Sequence, residues 1–264
     1  MSDLTITIIQ SDLFWEDKTA NLEMFERKIM GISEKTEVII LPEMFSTGFS
    51  MRPEVFAETM DGVSVQWMKR VSAQKKAIIT GSLIIKEEGL YYNRLIWMLP
   101  NGVFGHYDKR HCFSLAGEDE HYRSGVKRLI ASVKGWRINL CICYDLRFPV
   151  WTRQVISEDD AQPEYDLLVY VANWPDRRVH AWRTLLPARA IENQCFVVGV
   201  NRVGHDGNGV YHSGYSLISD PQGEISHVLS HNEGVITTTI ERNKLDDIRR
   251  QMPFWKDGDP FLIL

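Results

Sequence analysis

Short β-branched runs separated by segments of helical periodicity constrain this chain most. TITII (Thr5 to Ile9) reads as a buried strand. Lys18 to Ile32 then sets Leu22, Phe25, Ile29 and Ile32 at helical spacing. EVIIL (Glu37 to Leu41) returns to a buried strand, stopped by Pro42. Such a β-α-β unit favours a parallel strand pair joined by a helical crossover. Val63 to Lys76 reads as a second helix with Val63, Trp67 and Val71 on one face, and Ala77 to Ile85 as a strand.

From Leu90 the pattern changes to hairpins. Leu90 to Tyr107 splits at Pro100-Asn101-Gly102, and Arg128 to Cys143 splits at Lys134-Gly135. Trp151 to Ser157 and His180 to Asn193 read as helices. Asp166 to Val171, Cys195 to Val200, Tyr215 to Ser219 and Val235 to Ile240 read as strands, with a turn at Pro221-Gln222-Gly223. A closing helix runs from Arg242 to Arg250. Mixed sheets with helices packed outside them are the expected α/β architecture. No Gly/Ser/Pro-rich linker divides the 264 residues, so the chain reads as one domain over 1–264. Residues from about 251 to 264, MPFWKDGDPFLIL, form an apolar C-terminal tail. It docks either on a partner subunit or on its own domain.

Composition narrows the class. Apolar residues make up 44% and charged residues 25%, as in an ordinary globular protein. Thirty Lys and Arg against 35 Asp and Glu leave a net charge of −5, which argues against a phosphate-backbone binder. Cys112, Cys141, Cys143 and Cys195 make no C-x-x-C pair, so a reduced, cytoplasmic setting is expected. The N-terminus lacks a basic n-region and a cleavage site, and no apolar run reaches the ~18 residues of a spanning helix. His106, His111 and His121 match no compact zinc spacing, and Gly204 to Gly209 follows no phosphate-loop pattern. No metal, cofactor, nucleic acid or membrane partner is expected.

Three stretches could carry chemistry. In LPEMF, Glu43 lies just beyond a buried strand, at the end where α/β sheets bind ligands. A carboxylate partly withdrawn from water is suited to general-base work, and a turn carboxylate is the bland reading. In YDKRHCF, Lys109 follows a strand end; by itself it reads as a solvated lysine. In NLCICYDLRFPVW, Cys141 and Cys143 share one strand face. Cys141 has apolar neighbours and reads as filler. Cys143 sits at the strand-to-turn corner, where a sulfur gains access and nearby N–H donors.

LPEMF, DKRH and CYDLRFP, in this order and at these distances, resemble the three signatures of the nitrilase, or carbon–nitrogen hydrolase, superfamily. The resemblance continues through ANWP, LLPARAIENQ and NRVGHDG to about Ile240. Within the superfamily it is nearest to the bacterial ω-amidase, Nit2-like branch. It implies an α-β-β-α sandwich and a catalytic triad of Glu43, Lys109 and Cys143. It also implies a second glutamate, Glu118 or Glu120, with the spacing to Gly125 favouring Glu118. In these roles Cys143 is the nucleophile, its thiol pKa lowered by the neighbouring ammonium, and Glu43 the base. Lys109 and the backbone N–H of Tyr144 stabilise the oxyanion. Arg147 either clamps a substrate carboxylate or pairs structurally with Asp145 or another acid. Asn173, Trp174, Phe45, Tyr122 and Phe148 are expected to shape the pocket.

The implied activity is hydrolysis of the terminal amide of a small ω-amido 2-oxo carboxylate such as 2-oxoglutaramate. Ammonia leaves and a cysteine thioester forms. The alternatives are another amide or N-carbamoyl substrate, and a catalytically silent binding protein. A homodimer or higher homo-oligomer is expected from the resemblance.

Overall fold

The computed structural model describes residues 2–155, 162–259 and 261–263. The N-terminal unit forms as β1 (Leu4–Gln10), α1 (Lys18–Met30) and β2 (Val38–Ile40). Asp17 caps α1 by accepting a hydrogen bond from the Ala20 N–H at 3.0 Å. Next come α2 (Pro53–Phe56), α3 (Val63–Lys75), β3 (Ile78–Glu87), β4 (Leu90–Met98), β5 (Phe104–Asp108) and α4 (Glu118–His121). The chain continues through β6 (Ile130–Val133), β7 (Trp136–Ile142), α5 (Pro149–Thr152), β8 (Leu167–Val171), α6 (Val179–Asn193) and β9 (Phe196–Val200). It closes with β10 (Val203–His205), β11 (Tyr211–Ser219), β12 (Ile225–Ser230), β13 (Gly234–Ile240) and α7 (Arg242–Gln251).

These strands make two mixed sheets. The first runs β13-β1-β2-β3-β4-β5; the second runs β10-β11-β9-β8-β7-β6, with β12 also paired to β11. β1, β2 and β3 are parallel neighbours in the first sheet, as are β7, β8 and β9 in the second. Phe25, Ile29, Trp67, Met68 and Val71 on α1 and α3 pack against Ile39, Leu41, Ile79 and Leu83 on one face of the first sheet. The other face supplies Ile6, Ile8, Val38 and Ile40 to a core shared with Ile138, Leu140, Val169 and Val198 of the second sheet. Trp182, Leu186 and Ala190 of α6 close that core from outside. Gly199 permits the approach, since a Cβ there would meet Leu186 at 2.4 Å. Each such buried side chain contributes about 1.5–3 kcal/mol. The result is the expected α-β-β-α sandwich.

Three details depart from expectation. Val63 is exposed because it opens α3, so the buried stripe begins at Val65 and Trp67. The helix expected over 151–157 is the short α5, and Ile156 and Ser157 lie outside the described residues. β10 and β12 were not expected; β12 has no buried residue along its length and carries no apolar run to betray it. The hairpin turns fall where glycine and lysine take the left-handed region, as at Lys134 (φ 51°) and Gly135 (φ 82°).

The layered order has one consequence for chemistry. The carboxyl ends of β2, β7 and β8 open toward the same end of the sandwich, where the start of the loop after β5 joins them.

Candidate active site

Glu43 follows β2 by three residues and is fully buried. Met44 beside it adopts φ 43°, a left-handed backbone that turns the chain away from the strand. Its own N–H donates to Ser82 Oγ at 2.8 Å. Lys109 follows β5 directly and is 1% exposed. Its ammonium donates to Glu43 Oε1 at 2.9 Å and to Glu118 Oε2 and Oε1 at 2.8 and 3.0 Å. Gly125 presses on this turn: its N–H donates to the Lys109 carbonyl at 2.8 Å, and a Cβ would meet the Asp108 carbonyl at 2.1 Å. Glu118 opens α4 buried, whereas Glu120 is exposed; only Glu118 reaches the lysine.

Cys143 ends β7 with φ 45° and begins a 3-10 turn over Cys143–Arg147. A non-glycine residue held there is strained and persists only when its surroundings fix it. Asp145 fixes this one. Its carboxylate accepts from the Ile142 N–H at 2.9 Å, the Tyr107 hydroxyl at 2.7 Å and the His111 N–H at 3.0 Å. From below, Arg189 on α6 donates to the Leu146 carbonyl at 2.7 Å. Cys143 is partly exposed at a cavity wall, where the Glu43 carboxylate acts on its thiol. Cys141, two residues back, is wholly buried in the shared core.

Glu43, Lys109, Glu118 and Cys143 therefore form one connected group. Burial works against the Lys109 charge, but the carboxylates of Glu118 and Glu43 outweigh it and hold the ammonium well above the usual lysine range. Burial pushes the Glu118 carboxyl up; Lys109 opposes this, and the Glu43 charge adds to it. The Cys143 thiol is also pushed well above its ordinary value, first by burial and then by Glu43, with Lys109 opposing. The ammonium does act to lower it, as expected, but burial and the Glu43 charge outweigh the lysine. The resting sulfur is a thiol that needs a base.

Two asparagines hold the carboxylates. The Asn173 N–H donates to Glu43 Oε2 at 2.7 Å, and its side-chain amide donates to the Glu43 carbonyl at 2.6 Å. Asn93, on β4, donates from one amide nitrogen to Glu43 Oε1 at 2.8 Å and to Glu118 Oε1 at 3.1 Å. The sequence reading missed Asn93. Its one signal was a polar residue in the otherwise apolar inward alternation of LYYNRLIWM.

A cavity of about 160 Å³ opens onto the sulfur. Cys143, Lys109, Tyr144, Arg147, Asn173 and Trp174 line it, all expected positions. Phe49, Phe113, Arg177, Arg178 and His212 line it too. Sequence spacing does not encode the approach of Phe113, Arg177, Arg178 and His212, which lie on a loop, a 3-10 turn and a strand. Three expected lining residues are elsewhere. Phe45 points into the outer core, with ring centroids 5.6 Å from Phe25 and 5.8 Å from Trp67, because Glu43 and Phe45 leave the strand on opposite faces. Tyr122 is buried in a small cluster with Met44, Ile84 and Cys112, its hydroxyl donating to the Ser50 carbonyl at 2.5 Å. Phe148 stands behind Tyr144 and stacks on His111 at 3.8 Å.

Arg147 does not pair with Asp145, whose oxygens serve the turn. Its guanidinium lies 5.0 Å from the centre of the Trp174 ring, facing the cavity. Arg178 sits 4.8 Å over Phe113, its proton held less tightly through burial and through the charges of Arg177 and Arg147. The mouth thus gathers three guanidinium groups. Among the described residues, no group of three or more His, Cys, Asp or Glu side chains is placed to hold a metal. No helix among them is long and apolar enough to cross a membrane.

Comparison with known proteins agrees with this frame. The chain is 43% identical, over the full length of both, to the omega-amidase YafV of Escherichia coli strain K12. It is 30% identical to the 2-oxoglutaramate amidase of Bacillus subtilis strain 168, covering 96% of each. Its structure superposes on that of XC1258 from Xanthomonas campestris with a TM-score of 0.97, 42% identity and full coverage of both chains; that CN-hydrolase superfamily protein carries an arsenic adduct in its active site. The profile of the carbon–nitrogen hydrolase family matches residues 5–250, both sheets and every side chain of the connected group included, and the chain belongs to that family.

Proposed function

We propose that this carbon–nitrogen hydrolase is an ω-amidase. It removes the terminal amide of a small 2-oxo carboxylate such as 2-oxoglutaramate, with Glu43, Lys109, Cys143 and Glu118 as its catalytic group. The observation that carries the reading is the Cys143 thiol at the cavity wall, with the Glu43 carboxylate acting on it and Lys109 hydrogen-bonded to that same carboxylate. A thiol whose proton is held tightly becomes a nucleophile only as a base takes that proton, and Glu43 is in reach. As the Cys143 sulfur bonds the amide carbon, the carbonyl electrons move onto oxygen. Lys109 and the Tyr144 N–H face that oxyanion. Glu43 returns the proton to nitrogen, the C–N bond breaks and ammonia leaves. Water, losing a proton to Glu43, adds to the thioester; the S–C bond breaks, the leaving sulfur takes that proton back from Glu43, and the acid departs. Glu118 keeps Lys109 charged and in place.

The three arginines at the mouth support an anionic substrate end, with Arg147 as its clamp. The names of the relatives from E. coli and B. subtilis support the ω-amide and the 2-oxo acid. We read the chain as one domain over 1–264. It assembles as a homodimer or higher homo-oligomer, supported by the exposed Phe254 and Leu262 of the tail. A cytoplasmic setting is supported by four unpaired cysteines.

The test is ammonia release from 2-oxoglutaramate against an N-carbamoyl amino acid. The 2-oxo amide is expected to be favoured by at least about 100-fold in kcat/KM, and Cys143→Ala to release none. Preference for the carbamoyl substrate would replace the substrate assignment, and no turnover of any amide would favour a binding protein.

A further inference from the structure

Asn93 touches three charged residues at once. Its side-chain nitrogen donates to Glu43 at 2.8 Å and to Glu118 at 3.1 Å, and its backbone carbonyl accepts the Lys109 N–H at 2.9 Å. The amide orientation is forced. Two carboxylate oxygens face it, so its nitrogen must point at them and its oxygen away. That oxygen is buried and has no hydrogen-bond partner among the described residues. An unsatisfied buried carbonyl is a stability penalty. A residue chosen only to fill this strand position would avoid it.

The geometry points to Asn93 as a positioning residue. Its amide ties the base Glu43 and the lysine-bound Glu118 to one neutral donor, so two carboxylates can share Lys109 without a fourth charge in the site. The physics is direct. Two carboxylates and one ammonium leave surplus negative charge out of water, and each hydrogen bond to a carboxylate favours its charged form. Lys109 supplies three such bonds and the Asn93 amide two more. An aspartate at this position would add a charge, and an apolar residue would remove the donor. The backbone of Asn93 sets where Lys109 leaves the sheet, so side chain and main chain act on the same group.

The inference rests on the roles proposed for Glu43 and Cys143. It does not depend on which amide is the substrate. The experiment is the pH profile of kcat/KM for wild type, Asn93→Leu and Asn93→Asp, on whichever of 2-oxoglutaramate and the N-carbamoyl amino acid wild type turns over. Asn93→Leu is expected to melt near the wild-type temperature and to lose about 100-fold in kcat with KM little changed. The acid limb of its profile moves to higher pH, because the base has lost a donor to its charged form. The carboxyl introduced by Asn93→Asp can donate only while protonated. That variant is expected to work best at acid pH and to fall off where wild type rises. Wild-type-shaped profiles at reduced height would overturn the proposal, leaving Asn93 a structural residue. Should Asn93→Leu fail to fold, Asn93→Asp decides: an inverted profile supports the proposal and a wild-type shape overturns it. If wild type turns over neither amide, the functional reading fails, and iodoacetamide labelling of Cys143 carries this test. A labelling midpoint moved by about one pH unit in Asn93→Leu supports the positioning role, and an unmoved one overturns it.

Discussion

Cys143 unites two features that usually exclude each other. It is partly open to a cavity, yet its thiol is pushed up by burial and by the Glu43 charge. The proposed reaction therefore activates the sulfur by proton transfer at the moment of attack rather than by a standing thiolate. Iodoacetamide labelling followed by peptide mass analysis checks this. The Cys143 rate is expected to keep climbing beyond about pH 10, where an ordinary thiol with a pKa near 8.5 has levelled off. Glu43→Gln removes the like charge, so its labelling curve is expected to move to lower pH while turnover collapses. A wild-type plateau below pH 8 would contradict the account. The sequence could not have given this sign. DKRH and CYDLRF are far apart in the chain, and nothing in either says that burial and a carboxylate would outweigh the ammonium at the sulfur.

Among the elements, the site depends on where strands stop. β7 gives way directly to Cys143 with positive φ, β2 is followed four residues on by Met44 with positive φ, and β5 hands directly to Lys109. The loop carrying Glu118 is anchored by Gly125, which has no room for a side chain against the Asp108 carbonyl. Gly125→Ala is expected to cost about 1–3 kcal/mol in urea unfolding. It should also slow turnover by about 10- to 100-fold, since the atoms displaced belong to the turn that holds Lys109. Unchanged kcat in a folded variant would show that this contact does not set the lysine. The strand ends were legible because Pro42 and the polar turns at Asp108 and Tyr144 punctuate apolar runs. The side on which a residue leaves a strand was not. Phe45 lies two residues from Glu43 yet faces the opposite layer, since the left-handed turn at Met44 breaks the strand alternation from which the cavity wall was read. β12, with no buried residue along its length, lacked the apolar pattern that identified its neighbours.

For the whole molecule, two sheets back to back explain why so few residues specify the site. Long buried strands fix the frame, and short exits from their carboxyl ends bring in an acid, an amine and a thiol from both sheets. The frame was readable from periodicity, and the convergence followed from the resemblance of three motifs. The loops that roof the cavity were not readable, because Arg177, Arg178 and His212 reach it by packing alone. His212 leaves a trace on global stability. Burial, with the Arg202 charge nearby, lowers its pKa from 6.5 to about 4. Between those values the unfolded chain takes up a proton that the folded one refuses, so stability falls as pH drops from 6.5 toward 4. The loss amounts to about 3 kcal/mol across that window. Denaturant titrations of wild type and His212→Asn should therefore converge as pH falls, and parallel curves would show that His212 does not carry the effect.

The central claim is that the acyl group passes through Cys143. Enzyme mixed with 2-oxoglutaramate, quenched in acid within a turnover and weighed intact, tests it most directly. The account expects a mass increase equal to the substrate less ammonia, mapped to the peptide holding Cys143 and absent in Cys143→Ala. Ammonia release with no such adduct, from an alanine variant as active as wild type, would contradict it.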